Sequence, residues 1–205
     1  MRHRGEARKV AGKTAEKFGD AAQFFRTWAE KPLQLGSVTP SSRFLSRAIA
    51  SYVDPRADGP VVEIGPGTGP VTEALVRHGV AESRLVLLEY SPEFCALLRR
   101  RFPAATVVQG DGYALTRTLA GELPAKAAAI ISGLPLFTKP EALRLDLLRQ
   151  AFTLMKPDAP FIQFTYAMVS PMPLKDPFFT WRASPRIWRN VPPARVWIYR
   201  QPMKN

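Results

Sequence analysis

The stretch Val61-Val62-Glu63-Ile64-Gly65-Pro66-Gly67-Thr68-Gly69 constrains the fold more than any other part of the chain. Its β-branched start predicts a short strand, because side chains branched at Cβ suit a pleated, buried surface. Three glycines in five residues then predict a tight turn whose bare backbone can approach a ligand. Pro70 falls where a helix lacks a partner for its first N–H, and Val71-Thr72-Glu73-Ala74-Leu75-Val76 continues that helix. Strand, glycine turn and helix in this order place helix N-terminal N–H groups beside the turn. Twenty residues beyond Gly69, the run Arg84-Leu85-Val86-Leu87-Leu88 closes on Glu89. A second parallel strand ending there presents a carboxylate to ribose hydroxyls.

The turn lacks the GxGxxG spacing of dinucleotide sites, since its third glycine comes one residue early. The pattern Glu63-x-Gly65-x-Gly67-x-Gly69 instead resembles motif I of the class I S-adenosylmethionine-dependent methyltransferases. That resemblance implies S-adenosylmethionine as cofactor and S-adenosylhomocysteine as product. It assigns Glu63 to the cofactor's amino-acid end, acting through the turn, and Glu89 to the ribose, with Tyr90 beside it. A third strand at 106–109 ends in Gly110-Asp111-Gly112. In the family an Asp at the place of Asp111 accepts from the adenine amine, and Gly112 completes the cofactor set.

Composition sets the outer bounds. A chain of 205 residues forms one domain, 1–205, with room for a core. No apolar run approaches the ~20 residues of a membrane-crossing helix, and no signal peptide is expected. The single cysteine, Cys95, gives neither a disulfide framework nor a cysteine-based zinc site. Only His3 and His78 join it, so metal catalysis is not expected. A reducing cytoplasm suits this usage.

The net charge of +12 is unevenly placed. Residues 1–59 hold 11 Lys/Arg and 6 Asp/Glu, residues 60–160 hold 11 and 10, and residues 161–205 hold 7 and 1. A nearly neutral centre between two basic ends describes an enzyme with an added anion-facing surface. Residues 5–30 read as one helix with Val10, Thr14, Phe18, Ala21, Phe25 and Trp28 on a single stripe. Lys9, Lys13 and Lys17 flank that stripe, so Phe18, Phe25 and Trp28 can enter a bilayer interface while the cations stay at its surface. A basic-backed helix packed on the core is the competing use of the same pattern.

Residues 41–52 predict a helix capped by Ser41 or Ser42, and Ser91-Pro92 start another, which carries Cys95 and ends at Arg99-Arg100-Arg101. The fourth strand, 127–132, runs into Ser132-Gly133-Leu134-Pro135-Leu136-Phe137. N6-adenine methyltransferases carry Asn/Asp-x-Pro-Tyr/Phe at this point, to hold a target amine and stack a base. Here Leu136 follows the proline, so the base-stacking ring is missing from its expected place. A helix over 140–155 and a strand over 161–166 follow. Segments 184–189 and 196–199 predict a closing antiparallel pair. The expected architecture is therefore a Rossmann-like α/β sheet of seven mostly parallel strands, order 3-2-1-4-5-7-6, flanked by helices. Between strand five and that pair, 168–189 mixes Pro, Met, Phe and Trp with Lys175, Arg182, Arg186 and Arg189. Such an insertion is expected to cover a site or dip into lipid rather than build a core.

Taken together these motifs resemble the bacterial phospholipid N-methyltransferases. The resemblance rests on 61–111, on Ser132-Gly133-Leu134-Pro135, on Trp188-Arg189-Asn190-Val191-Pro192-Pro193-Ala194 and on the basic helix at 5–30. It implies stepwise N-methylation of phosphatidylethanolamine to phosphatidylcholine by an enzyme bound peripherally to the inner face of the cytoplasmic membrane. Partners would be an anionic phospholipid surface and the methylated head groups, without metal or nucleic acid; nothing in the sequence bears on oligomeric state. Ser132, Gly133, Leu134, Pro135 and Tyr166 are the expected catalytic set. Lys175, Trp181, Arg186, Arg189 and Phe137 would meet the lipid, and Tyr166, Phe137 and Tyr113 are rings able to face a methylated ammonium. The rivals are an RNA or DNA adenine N6-methyltransferase and a non-catalytic membrane module on the same fold.

Overall fold

The computed structural model describes residues 40–202. The helix expected at 5–30, with Lys9, Lys13, Lys17, Phe18, Phe25 and Trp28, lies outside the described residues. Elements follow in the order α1 (Pro40–Ala50), β1 (Val61–Ile64), α2 (Pro70–Arg77), β2 (Leu85–Glu89), α3 (Pro92–Arg101), β3 (Thr106–Gln109), α4 (Leu115–Thr118), β4 (Ala129–Ser132), α5 (Glu141–Leu154), β5 (Phe161–Thr165), β6 (Thr180–Ala183) and β7 (Arg195–Arg200). They build one seven-stranded sheet of order β3-β2-β1-β4-β5-β7-β6, as expected. Strands β1 to β5 are parallel, and β7 runs antiparallel to both β5 and β6.

Period-two alternation divides the core into two layers. Val62, Ile64, Val86, Leu88, Ile130 and Phe161 face Leu147, Leu148, Ala151 and Phe152 of α5. Val61, Leu85, Leu87, Ile131 and Ile162 face Leu45 and Ile49 of α1, Leu75 of α2 and Leu98 of α3. Every residue of β1, β2 and β4 is buried, which is why these strands read as continuous apolar runs. Full burial of each large aliphatic side chain contributes roughly 1.5–3 kcal/mol. Truncating one, as in Ile64→Ala, costs about 2–5 kcal/mol with the cavity it leaves.

Three expectations are corrected. Ser41 and Ser42 lie inside α1, which starts at Pro40, a residue suited to a first helical turn. The sixth strand is Thr180–Ala183, and 184–189 forms a loop closed by an Ile187–Ala194 bridge. β6 is an edge strand with three of its four residues exposed, so it carries no apolar run to betray it. Part of 168–189 therefore builds core. Met172 and Phe179 are buried on the α5 face, Phe178 packs on Phe152 at 5.5 Å, and Ser170 Oγ meets the Tyr199 hydroxyl at 2.8 Å.

Candidate active site

The carboxyl ends of β1 to β4 converge through backbone hydrogen bonds. Gly65 N donates to Leu88 O at 2.8 Å, Gly110 N to Glu89 O at 3.0 Å and Gly133 N to Ile64 O at 2.7 Å. The four turns after these strands, which carry most of the expected site residues, thus form one rim. Gly67 has φ 57°, and a Cβ there would meet nothing within 4 Å, so the turn opens onto free space. Gly133 is needed for the opposite reason, since its Cβ would lie 2.6 Å from Gly65 O.

Two acids occupy this rim. Glu89, 8% exposed, accepts from Gly67 N at 3.0 Å through Oε2 and from Tyr90 N at 2.8 Å and Ser91 N at 2.9 Å through Oε1. A carboxylate has about four lone-pair sites, so three are used and one remains for a hydroxyl. Glu63, on the α2 side of β1, accepts from Thr72 Oγ1 at 2.6 Å. Burial, opposed by the Thr72 bond and reinforced by the Glu89 charge, raises its pKa from 4.5 to about 7. The pair therefore holds less negative charge near neutrality than two carboxylates in water, and a cationic ligand would restore it.

Tyr90 is 76% exposed at the end of β2, an apolar ring open to a ligand face. Asp111 is exposed and caps a short 3-10 turn, with Oδ1 accepting from Tyr113 N at 2.9 Å. Gly112 is buried against Ile64 and Leu134. This set fits S-adenosylmethionine: an open glycine turn, a buried acid behind it, a second acid with one free acceptor site, and an exposed ring.

The substrate turn differs from expectation in its working parts. Ser132 is fully buried, and its Oγ accepts from Leu134 N at 3.3 Å, so it holds the turn from beneath. The Leu134 carbonyl already accepts twice, from Leu136 N at 2.9 Å and from Gln163 Nε2 at 3.1 Å. It is thus a spent acceptor rather than a cradle for an amine. Gln163 was not foreseen. It is 2% exposed, registers with Ser132 across β4 and β5, and keeps a buried Oε1 without a hydrogen bond. A lone glutamine inside the apolar run Phe161-Ile162-Gln163-Phe164 is the signal that could have found it.

The aromatic candidates are largely engaged. Lys139 Nζ sits 5.1 Å from the Tyr113 ring centroid, and the Arg144 guanidinium 5.5 Å from that of Phe137. Burial, with the Asp111 charge, pushes the Tyr113 phenol up to about 12. Tyr166 meets Phe164 edge-on at 5.8 Å and hydrogen-bonds the Asn190 side chain. Pro135 is exposed at the rim. Arg186 Nη2 donates to Ala167 O at 3.3 Å just past β5, and Arg189 lies over Phe44 of α1 at 5.3 Å. Lys175 is exposed in the loop before β6. Trp181 is a correction. It pairs with Tyr199, which pairs with Phe161 at the start of β5, so it sits at the end of the sheet away from the glycine turn and packs on Trp197 at 5.8 Å.

Comparison with known proteins sharpens this geometry. Residues 34–123 match the model of the ribosomal RNA adenine dimethylase family. The ornithine lipid N-methyltransferase of Singulisphaera acidiphila is 35% identical over 134 residues, 64% of this chain and 70% of that enzyme. A ribosomal RNA small subunit methyltransferase A from Chlorobium phaeobacteroides is 28% identical over 44% of this chain, but only a third (33%) of its own length is matched. Among solved structures, TrmN from Thermus thermophilus superposes with a TM-score of 0.64 at 18% identity, covering 80% of this chain and 51% of that one. An O-methyltransferase from Bacillus cereus, in complex with S-adenosylhomocysteine, gives 0.59 at 15% identity, covering 89% and 90%. These structural likenesses are of fold, while the identity to the lipid enzyme is of sequence over most of its length. The chain belongs to the class I S-adenosylmethionine-dependent methyltransferases, in the family that includes the ornithine lipid N-methyltransferase.

Proposed function

We propose that this methyltransferase acts on a lipid primary amine, phosphatidylethanolamine, methylating it in steps to phosphatidylcholine at an anionic membrane surface. The observation that carries the reading is the turn after β4. Leu136 is 2% exposed and packed in the core where an adenine methyltransferase presents a stacking ring. A small aliphatic amine needs no such ring. The 35% identity to an ornithine lipid N-methyltransferase supports the same class, methylation of a lipid nitrogen.

S-adenosylmethionine, when bound, supplies an activated methyl group. Glu63 and the 65–69 turn hold its amino-acid end, Glu89 its ribose, and Asp111 and Gly112 border its base. The rest falls to the chain. An ammonium has no lone pair, so the lipid amine must give a proton to water before its nitrogen could take the methyl carbon, whose bond to sulfur would break as the new one forms. Ser132 and Gln163 fix the 133–135 turn from below, so the amine meets a preset backbone edge. Arg186, Arg189 and Lys175 supply cations for the lipid phosphate.

Liposomes containing phosphatidylethanolamine, incubated with cofactor and protein, should yield mono-, di- and trimethylated head groups. A parallel arm with ornithine lipid separates the two amines. The second reading, an adenine N6-methyltransferase, has one observation in its favour, the family match over 34–123. That match stops before β4, so it covers the cofactor half and not the substrate turn. Methylated ribosomal RNA with unmethylated liposomes would decide for it.

A further inference from the structure

Most of the exposed large apolar side chains of the described residues gather in one place. Met168 and Val169, 74 and 49% exposed, lie in the loop leaving β5, and Trp188 and Val191, 73 and 80% exposed, lie in the loop entering β7. Both loops start from one rung of the sheet, the Thr165–Arg195 pair. They are tied together by the Arg186–Ala167 bond and by the Tyr166–Asn190 side-chain hydrogen bond. This rung is the carboxyl end of β5, next to β4 and its 133–135 turn. Single exposed apolar residues are ordinary, but four on two tied loops beside a substrate turn are not.

Cations frame them. The Arg186 guanidinium lies 5.9 Å from the Trp188 ring and Arg189 is adjacent, while Asp176 is the only acid in residues 161–205. Apolar tips ringed by guanidinium groups match a bilayer interface, where side chains enter the acyl boundary and cations meet phosphate. Only Trp188 of the four offers a ring on which a base could stack; the other three are aliphatic, which favours acyl chains over RNA as the occupant.

We propose that Met168, Val169, Trp188 and Val191 form a membrane-inserting tip of the catalytic domain, which seats the mouth of the site on an anionic lipid bilayer. The tip rests on the lipid reading of the site. Docked there, a head group rising from the leaflet arrives at the substrate turn without leaving the membrane.

The test uses the full chain and two double variants, Trp188→Ser with Val191→Ser and Met168→Ser with Val169→Ser. All four positions are exposed, so cofactor affinity should match the parent and certify folding. Partition onto vesicles of phosphatidylethanolamine and phosphatidylglycerol should fall about tenfold in each double variant. Methylation in vesicles should fall with it, and methylation of detergent-dispersed lipid should stay. In a Trp28→Phe background, brominated lipid should still quench the fluorescence, and adding Trp188→Phe should remove most of that quenching. Partition within twofold of the parent in both double variants, or loss of ribosomal RNA binding with vesicle binding intact, would overturn the tip. Absence of methylated lipid in detergent as well as vesicles would instead sink the catalytic reading, while the partition data still judge the tip.

Discussion

The two halves of the sheet solve different problems. From β1 to β3 the site is built of backbone and two acids whose bonds are made within the chain; Glu89 alone satisfies three N–H groups. From β4 to β7 the same rim is built of side chains, and it leaves business unfinished. Of the five buried polar atoms without a hydrogen bond among the described residues, Arg144 Nε, Gln163 Oε1, Arg195 Nε and Trp197 Nε1 belong to this half, and Tyr113 OH does not. Exposed large apolar side chains of the described residues divide the same way, with Tyr90 alone on the first half. A cofactor half common to many methyltransferases can be preset, whereas the half that defines the acceptor stays open to its ligand and surface.

The contrast can be broken most severely at Glu89. Glu89→Ala strands three N–H groups, at about 1–3 kcal/mol for each unsatisfied group, and removes the acceptor proposed for the ribose. Cofactor affinity, measured by calorimetry, should fall by about 100-fold or more. An unchanged Kd would show that the first half is not the cofactor site.

Next in size is the pH response of Glu63. Its folded pKa of about 7 lies above the ordinary 4.5, so the folded chain keeps a proton that the unfolded chain releases. Its contribution to stability is fully present below pH 4.5 and is lost as pH rises through about 7. Glu63→Gln should flatten that decline and stabilise the cofactor-free protein at pH 8 by up to about 3 kcal/mol, read by denaturant titration. A cationic cofactor favours the ionised acid, so parent affinity should rise about tenfold from pH 6 to 8 and stay level in the variant. A pH-independent parent would remove the coupling.

Gln163→Leu probes the second half. It should lower the methylation rate about five- to tenfold through a looser turn while leaving cofactor affinity in place. Equal losses in both measurements would erase the boundary between the halves. The smallest effect belongs to Glu73→Ala, which removes exposed pairs with Arg77 and Arg101. Stability should change by less than about 0.5 kcal/mol, because water screens such pairs; a larger change in thermal midpoint would mean the helix end holds the glycine turn.

The same division governs what the sequence made legible. β1, β2, the Ser91 cap and both acids follow from local rules, since a glycine turn and a buried parallel strand impose their own residue types. β6 escaped because an exposed edge strand needs no apolar period. Trp181 looked like a loop aromatic for the same reason, although it packs at a tilt on Trp197 at 5.8 Å. The roles of Ser132 and Gln163 depend on neighbouring strands in register, a long-range fact that no local window contains.

Leu134 sits between the halves. Its Cδ2 would lie 3.3 Å from a Cβ at Gly65 and its Cδ1 3.2 Å from one at Gly112, so one aliphatic side chain touches donor cradle and acceptor turn at once. Such a wedge has nowhere to slide. Trimming that one leucine would therefore loosen both turns together, because the same two methyl groups back them both.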